Sequence, residues 1–225
     1  MIKNIIFDLG GVIITIDQPE AVRRFASLGL PDAEKALDPY TQSGIFGDLE
    51  AGKITDEEFR VAFSQLVGRE VTWEECQYGW LGYRKELPRR NVEILKRLRQ
   101  EGYRLILLSN TNSYMMHWAE SPAFDGEGHT LSHYFDAAYK SYQVKLMKPD
   151  ARFFQYVLKQ ENILPSETLF VDDGAHNIEA AANLGLHTFQ PINGEDWTSD
   201  IFQYLTGYNS IAPHITKSKL SKVTL

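Results

Sequence analysis

The feature that most constrains the fold is a series of short apolar runs, each followed by polar residues and separated from the next run by an amphipathic stretch. The clearest runs lie at 5–7, 105–108 and 169–171, with weaker ones at 138–141 and 186–189. They are too short for helices, and continuous apolar character is typical of strands buried on both faces. Strands that alternate with helices predict a doubly wound parallel sheet, that is, a Rossmann-like α/β fold.

The stretch at 17–86 breaks this rhythm. It has helical patterns at 21–28, 56–67 and 73–80, a Thr55-x-x-Glu58 capping box, and no convincing strand. An all-helical block between the first and second strands predicts an α-helical cap inserted into the α/β core. The expected division is a core at 1–16 and 87–205, a cap at 17–86, and a C-terminal tail or edge extension at 206–225.

Charge and cysteine content exclude several classes of protein. The 23 basic and 30 acidic residues give a net charge of −7, which lacks the electrostatic footprint of a nucleic-acid-binding protein. The single cysteine, Cys76, excludes an intrachain disulfide and a multi-cysteine metal site. No apolar run approaches the ~20 residues needed to span a bilayer. We therefore expect a soluble, cytoplasmic protein without a membrane or nucleic-acid partner, and its oligomeric state stays open.

Polar clusters follow four of the predicted strands. Because parallel strands end at one edge of the sheet, where ligands bind in α/β proteins, these clusters should meet there. A single Asp after a strand is most often a turn or cap residue, but four clusters in register predict a site. The clusters are Asp8-Leu9-Gly10-Gly11, Ser109-Asn110-Thr111-Asn112, Lys145-Leu146-Met147-Lys148-Pro149 and Asp172-Asp173-Gly174.

The residue types at this edge suit phosphoryl transfer. Three carboxylates crowded together repel one another unless a cation lies among them, and oxygen ligands without His or Cys suit Mg²⁺. Lys148 and Ser109 can hold phosphoryl oxygens, and Asp8 can act as a nucleophile. Gly10 and Gly11 let backbone N–H groups approach a phosphate closely. The substrate class predicted is a small phosphorylated molecule.

With these motifs the chain resembles the haloacid dehalogenase superfamily of aspartyl-phosphate hydrolases, from about residue 2 to residue 205. The resemblance implies that Asp8 is the nucleophile and that Ser109 and Lys148 hold the phosphoryl group, with Gly10 and Asn110 also binding substrate. It also implies that Asp8, Asp173 and the Gly10 carbonyl bind Mg²⁺, with Asn177 in the outer shell. The role of Asp172 stays open. The matching motifs are IFDLGGV at 6–12, LLSNT at 107–111, MKPD at 147–150 and FVDDGAHN at 170–177, with GKITxxEF at 52–59 in the cap.

One position departs from the family pattern. Phosphatases of the superfamily usually carry a second Asp two residues after the nucleophile, as general acid and base, and here that position is Gly10. A similar bacterial branch with Asp-Leu-Gly-Asn-Val is described as acting on α-glucose 1-phosphate, so a Mg²⁺-dependent phosphatase, with a sugar phosphate among its possible substrates, is the leading interpretation. Two alternatives stay open. They are a non-catalytic phospho-ligand-binding regulator and, less favoured, a 2-haloacid dehalogenase, since no aromatic residue follows Asp8 before Phe25.

Other residues have plainer interpretations. Asp17 is favoured as a helix N-cap over a replacement acid. Trp80 is favoured as a core residue. The alternative is that Trp80, together with Tyr83 and Arg84, lines the substrate pocket. The acidic run at 48–50 is interpreted as a solvated face. His129 and His133 have the i, i+4 spacing of a zinc pair but no obvious third ligand.

Overall fold

The first apolar run forms the central strand of the sheet. In the computed structural model, which describes residues 1–37 and 44–210, β1 (Asn4–Phe7) is flanked by β4 (Arg104–Ser109) and β6 (Thr168–Val171). The outer strands are β5 (Ala137–Lys140) and β7 (His187–Phe189), which gives the order β5-β4-β1-β6-β7. All four pairings are parallel. The predicted doubly wound α/β fold is confirmed.

Successive residues of each strand face opposite layers of helices. Ile6 packs in a cluster with Phe153 and Phe154, and Ile5 lies in the cluster that contains Leu98 and Ile201. Both faces of the sheet are therefore buried, which explains why the strands are continuously apolar. The helices of this part of the chain are α6 (Arg89–Gln100), α7 (Ser113–Ala119), α8 (Ser141–Val144), α9 (Ala151–Glu161), α10 (Ala175–Asn183) and α11 (Thr198–Ser210).

Within 18–80, the described part of the chain forms five α-helices, and side-chain caps fix where several of them begin. Asp17 accepts a hydrogen bond from the Glu20 N–H at 3.0 Å, so Asp17 is the N-cap of the first of these helices. Thr55 and Thr72 each begin a complete capping box. The five helices are α1 (Gln18–Ser27), α2 (Ala33–Ala36), α3 (Gly44–Glu50), α4 (Asp56–Val67) and α5 (Trp73–Trp80).

Aromatic side chains fill the space between these helices. The Phe25 ring meets Phe46, Phe63 and Trp80 edge-on, with centroids 5.1, 5.5 and 5.7 Å apart. Edge-to-face rings add attraction beyond the apolar area that they bury. Phe25 is fully buried, which makes it the centre of the packing of the helical block.

A short antiparallel ribbon lies where the chain leaves the sheet and where it returns. Its strands are β2 (Thr15–Ile16) and β3 (Arg84–Glu86). The expectation that 17–86 contains no strand is therefore wrong at its last three residues. All three residues of β3 are exposed, so the pairing arises from the return of the chain beside β2 and leaves no apolar pattern in the sequence.

The end of the chain also differs from expectation. Helix α11 continues through Ser210, so the segment predicted as a tail or edge extension begins as helix, and residues 211–225 of it lie outside the described residues. Within 1–37 and 44–210, no helix combines the length and the apolar character that a membrane span requires.

The aromatic centre predicts a large and local stability effect. Phe25→Ala should lower the free energy of unfolding by about 3–5 kcal/mol, because it removes a fully buried ring from three others. Leu66→Ala, at a position of α4 that is 51% exposed, is the matched control and should change stability by no more than about 0.5 kcal/mol. Urea titration followed by circular dichroism measures both values. Similar values for the two variants would contradict the assignment of Phe25 as the centre of the block.

Candidate active site

A cavity of about 310 Å³ opens at the carboxyl edge of the sheet. The polar clusters after β1, β4 and β6 reach it, together with the loop that precedes α9. The structure brings all the residues predicted from the sequence for the site into the lining: Asp8, Gly10, Ser109, Asn110, Lys148 and Asp173.

A buried ammonium group occupies the centre of the polar edge. The Lys148 Nζ atom lies 2.9 Å from Asp8 Oδ2 and 2.6 Å from Asp172 Oδ2. Lys148 is 4% exposed and Asp172 is fully buried. A buried charge is tolerated only when it is paired, so each of these carboxylates helps to keep Lys148 ionised in place. Lys148 is thereby fixed beside Asp8.

Asp172 is itself held in place by hydrogen bonds to its other carboxylate oxygen. The Asp172 Oδ1 atom accepts hydrogen bonds from the Gly174 N–H at 2.8 Å and from the Asn177 side chain at 3.0 Å. Asn177 lies in the first turn of α10, and it both lines the cavity and binds Asp172. Asp172 therefore orients the ammonium of Lys148, a role that residue type alone leaves open.

Asn110 clamps the backbone of the same lysine. Its side-chain NH₂ donates to the Lys148 carbonyl, and its side-chain oxygen accepts from the Lys148 N–H, both at 2.9 Å. Both ends of the Asn110 amide are thus in use on Lys148. Asn110 lines the cavity as expected, but these contacts make it a residue that positions Lys148.

The site carries an excess of negative charge. Burial raises the pKa of Asp8 to about 7; Lys148 opposes this shift, and Asp172 and Asp173 add to it. Burial also raises the pKa of Asp173 to about 6, with Asp172 adding to the shift. Burial tends to lower the pKa of Lys148, but Asp172 and Asp8 outweigh it, and the pKa is raised. A second cation would reduce the repulsion between these carboxylates.

The donor set fits a hard divalent cation. Carboxylate oxygens of Asp8, Asp172 and Asp173 lie within 4.8 Å of one another. Asp172 is fully buried and is not part of the cavity lining, whereas Asp8 and Asp173 line it, so these two are the carboxylates that face a metal there. Such all-oxygen sites suit Mg²⁺, which keeps several waters and is shared with substrate phosphates.

The loop after Asp8 depends on contacts that the sequence analysis misses. The Asn91 side chain donates to the Val12 and Ile13 carbonyls, at 2.9 and 3.0 Å, and the Trp197 Nε1–H donates to the Val12 carbonyl at 3.1 Å. Asn91 is 3% exposed, so it is a buried polar residue on the apolar face of α6. That conflict between residue type and helix face is the signal that could identify it.

The two glycines of this loop face different constraints. Gly11 has a φ of +74°, and a Cβ atom there would lie 2.1 Å from Asp173 Oδ2. Gly10 has no such φ, and its Cβ would meet only Ile16 Cγ2, at 3.3 Å. Gly11 is thus required for the approach of Asp173, whereas Gly10 leaves room for a side chain.

The helical block supplies the other wall of the cavity. Trp80 and Tyr83 line it, and Trp80 is also 1% exposed within the aromatic cluster, so both interpretations of Trp80 hold. The Tyr83 hydroxyl donates to the Leu37 carbonyl at 3.0 Å. Arg84 is exposed and lies over the Trp118 ring at 4.6 Å, away from the lining.

Glu50 is the main correction on this wall. It was expected to belong to a solvated acidic run, but it is 9% exposed and lines the cavity. The acidic run lies in the short helix α3. In this helix Glu50 points toward the cavity, whereas Asp48 pairs with Lys53 at the surface.

Asn193 is a further residue that the sequence analysis misses. Its side-chain oxygen accepts from the Ile16 N–H at 3.0 Å, and its NH₂ donates to the Ile16 carbonyl at 3.1 Å. The loop after β7 thereby holds β2 against the cavity, which both residues line.

Two other candidates lie outside the cavity. The His129 ring stacks on His133 with centroids 4.3 Å apart, and its Nδ1 lies 2.7 Å from Asp125 Oδ2. Asp125 also accepts from Tyr134 and from two backbone N–H groups, so this cluster closes a loop. Burial raises the pKa of the Cys76 thiol to about 11, which makes it unreactive.

Comparison with known proteins gives a consistent set of relatives. A family model described as haloacid dehalogenase-like hydrolase matches residues 2–185. The chain is 48% identical over 201 residues to the D-ribitol-5-phosphate phosphatase of Bacteroides thetaiotaomicron, covering 89% of this chain and 97% of that protein.

Solved structures agree. A HAD-like family hydrolase from Porphyromonas gingivalis superposes with a TM-score of 0.87 at 42% identity, covering 91% of this chain and 98% of that one. An Asp→Ala mutant of a HAD family enzyme from Bacteroides thetaiotaomicron, solved with magnesium and inorganic phosphate, gives 0.84 at 34% identity, covering 90% and 99%.

The two glycines predict opposite outcomes for the same substitution. Gly11→Ala should weaken Mg²⁺ binding by about 10- to 100-fold, because the new methyl group displaces the Asp173 carboxylate. Gly10→Ala is the matched control and should stay within about threefold of the unmodified protein, since only the Ile16 methyl must yield. Isothermal titration calorimetry with MgCl₂ measures both. Equal weakening in the two variants would show that the approach of Asp173 is not what requires a glycine.

Proposed function

The chain belongs to the haloacid dehalogenase-like hydrolase family, and from this membership we propose that it is a Mg²⁺-dependent phosphatase that hydrolyses a small phosphorylated metabolite of the sugar-phosphate class. The observation that carries the proposal is the buried Lys148 ammonium held 2.9 Å from the Asp8 carboxylate at the edge of the cavity. A carboxylate next to a fixed cation suits attack on a phosphoryl group, because the cation offsets the repulsion between the two anions.

Asp8 acts as the nucleophile. One of its carboxylate oxygens forms a bond to phosphorus while the bond from phosphorus to the ester oxygen breaks, and the leaving alkoxide takes up a proton from solvent. A water oxygen then bonds to phosphorus, the bond from phosphorus to Asp8 breaks, and the proton of the water passes to solvent. The products are the alcohol, inorganic phosphate and the free Asp8 carboxylate.

Lys148 and Ser109 hold the phosphoryl oxygens. Lys148 is fixed by Asp172 and by the Asn110 clamp, so its charge stays in place as charge moves through the reaction. Ser109 is the last residue of β4 and lines the same cavity. Its hydroxyl can donate to a phosphoryl oxygen.

Asp8, Asp173 and the Gly10 carbonyl would hold Mg²⁺. When bound there, Mg²⁺ supplies positive charge that binds and orients the phosphoryl group. Support comes from the solved relative that contains magnesium and inorganic phosphate.

The helical block at 17–86 acts as a cap over the core formed by 1–16 and 87–205. Trp80, Tyr83 and Glu50 from this block wall the cavity, so they would contact the alcohol part of the substrate and exclude water.

The two alternative functions, a phosphate-binding regulator and a dehalogenase, have less support. A regulator that only binds phosphate has no need of a carboxylate beside Lys148. A dehalogenase is disfavoured because the named relative that covers 89% of the chain is a phosphatase. A turnover assay on D-ribitol 5-phosphate with Mg²⁺ separates phosphatase from regulator.

Replacement of the nucleophile tests the proposal directly. Asp8→Asn should lower kcat on the order of 10³-fold or more while the protein stays folded, because the amide is not nucleophilic at phosphorus. Asp200→Asn, at an exposed position of α11, is the matched control and should keep full activity. Phosphate release measures the rate, and circular dichroism measures the fold. Activity of Asp8→Asn near that of the control would exclude Asp8 as nucleophile.

Because Gly10 has no acidic side chain, we predict that the rate of hydrolysis depends on the pKa of the leaving group. Asp17 caps α1 and is not in the lining, so neither position offers an acid to the leaving oxygen. The rate of the first chemical step should therefore fall steeply as the pKa of the leaving alcohol rises. Gly10→Asp should flatten the slope and speed poor leaving groups by up to about 10²-fold.

Single-turnover rates with a series of aryl and alkyl phosphates measure both slopes. Gly10→Asn fills the same space without an acid and is the matched control, and it should keep the steep slope. A shallow slope in the unmodified protein would show that another residue already supplies the proton.

A further inference from the structure

A buried amide and a buried indole donate to the same backbone carbonyl. Asn91, in the first turn of α6, and Trp197, directly before α11, donate to the Val12 carbonyl at 2.9 and 3.1 Å. Asn91 also donates to the Ile13 carbonyl at 3.0 Å. Both side chains are 3% exposed. Two elements that are distant in sequence therefore hold one short stretch of backbone.

That stretch belongs to a closed turn at 9–14, which we call the 9–14 turn. The Ile13 and Ile14 N–H groups both donate to the Leu9 carbonyl at 2.9 Å. The Gly11 N–H donates to the Ile14 carbonyl at 2.8 Å. Because these hydrogen bonds close the turn on itself, a shift at its held carbonyls is passed on to its other residues.

The 9–14 turn contacts both carboxylates of the proposed metal site. The N–H of Leu9, its first residue, donates to Asp8 Oδ1 at 2.7 Å. A Cβ atom at Gly11 would lie 2.1 Å from Asp173 Oδ2, so the backbone of the turn lies directly against that carboxylate. Movement of the turn would therefore change the spacing of the two carboxylates.

The segment after β7 holds the opposite side of the same spacing. The Gln190 side chain donates to the Asp173 backbone carbonyl at 2.9 Å, and Trp197, seven residues later in the sequence, binds Val12. One segment of chain thus fixes both the 9–14 turn and the backbone that carries Asp173.

We propose that Asn91 and Trp197 are positioning residues for the metal. They hold the 9–14 turn where Asp8 and Asp173 can share one Mg²⁺. Ligand distances around Mg²⁺ must stay close to about 2.0–2.1 Å in near-octahedral geometry, so a small displacement of the turn weakens binding. This inference rests on the proposed phosphatase function and adds two residues that act on its metal site without lining the cavity.

Substitutions that remove the donors test this role. Trp197→Phe removes the indole N–H but keeps a ring beside Phe7, whose centroid lies 6.0 Å away. Asn91→Leu removes both amide donors at a similar volume. Isothermal titration calorimetry with MgCl₂ and no substrate measures the dissociation constant of Mg²⁺. It should rise about 3- to 10-fold in Trp197→Phe and about 10- to 100-fold in Asn91→Leu.

Each variant has a matched control. Asn4 is also a buried amide, 6% exposed, and donates to the Glu167 carbonyl at 3.4 Å, at the opposite edge of the sheet. Trp118 is a buried indole, 6% exposed, outside the lining of the cavity. Asn4→Leu and Trp118→Phe should lose stability in thermal unfolding but bind Mg²⁺ within about twofold of the unmodified protein, since distant sites act independently.

A displaced metal site also predicts a defect that added Mg²⁺ corrects. At low Mg²⁺, Trp197→Phe should hydrolyse D-ribitol 5-phosphate more slowly than the unmodified protein, by about the same factor as its loss of Mg²⁺ affinity. At Mg²⁺ concentrations far above the raised dissociation constant, its kcat should return to within about twofold of the unmodified value. A defect of packing alone would persist at every Mg²⁺ concentration.

The outcomes separate this inference from the function beneath it. If Trp197→Phe and Asn91→Leu bind Mg²⁺ as their controls do, or if excess Mg²⁺ leaves the slow rate of Trp197→Phe unchanged, the positioning role is overturned and the phosphatase function stands. Where Asn91→Leu does not fold, Trp197→Phe and its control decide. If the unmodified protein neither binds Mg²⁺ nor hydrolyses D-ribitol 5-phosphate, the proposed function fails and this inference fails with it.

Discussion

The buried ion pairs of Lys148 hold the site together. An unpaired ammonium at a position that is 4% exposed would cost several kcal/mol, so the conformation depends on Asp8 and Asp172 on either side of it. The Asn110 clamp adds the end of β4 to the same assembly. One side chain thus joins the ends of β1, β4 and β6, and removing any partner would disturb the others. The parallel sheet matters for function because it brings these three chain segments within reach of a single ammonium group.

The parts of the structure that follow from local pattern could be predicted from the sequence. The strands are apolar throughout because both faces of the sheet are buried, so the strands could be identified. Asp8 and Asp173 follow the ends of two of these strands, so the sequence also indicated that both carboxylates lie at the same edge of the sheet. The pairing of β3 could not be predicted, since its exposed residues carry no pattern. The clamp between Asn110 and Lys148 joins residues 38 positions apart, and Glu50 turns inward only because of how α3 is rotated and packed. These features depend on long-range packing, which no local pattern records.

The wall of the cavity and the aromatic cluster of the helical block share residues. Trp80 contacts the Phe25 ring in the aromatic cluster and also lines the cavity. A substitution there would alter both the packing of the helical block and the shape of the pocket. Stability and the shape of the cavity are therefore coupled at Trp80.

The strand β2 lies next to Gly10, the position where the family pattern has an acid. Asn193 binds both backbone groups of Ile16, so the first crossing from the sheet to the helical block is tied to the loop after β7. This tie holds the Ile16 side chain over Gly10, where a Cβ atom would lie 3.3 Å from the Ile16 methyl. An apolar methyl group thus borders the position where the family pattern has a carboxylate, and it has no proton to give to a leaving group. In the proposed mechanism, charge stabilisation by Lys148 and by a metal that Asp8 and Asp173 would hold then has to account for more of the rate, so the fixed position of Lys148 matters in this chain.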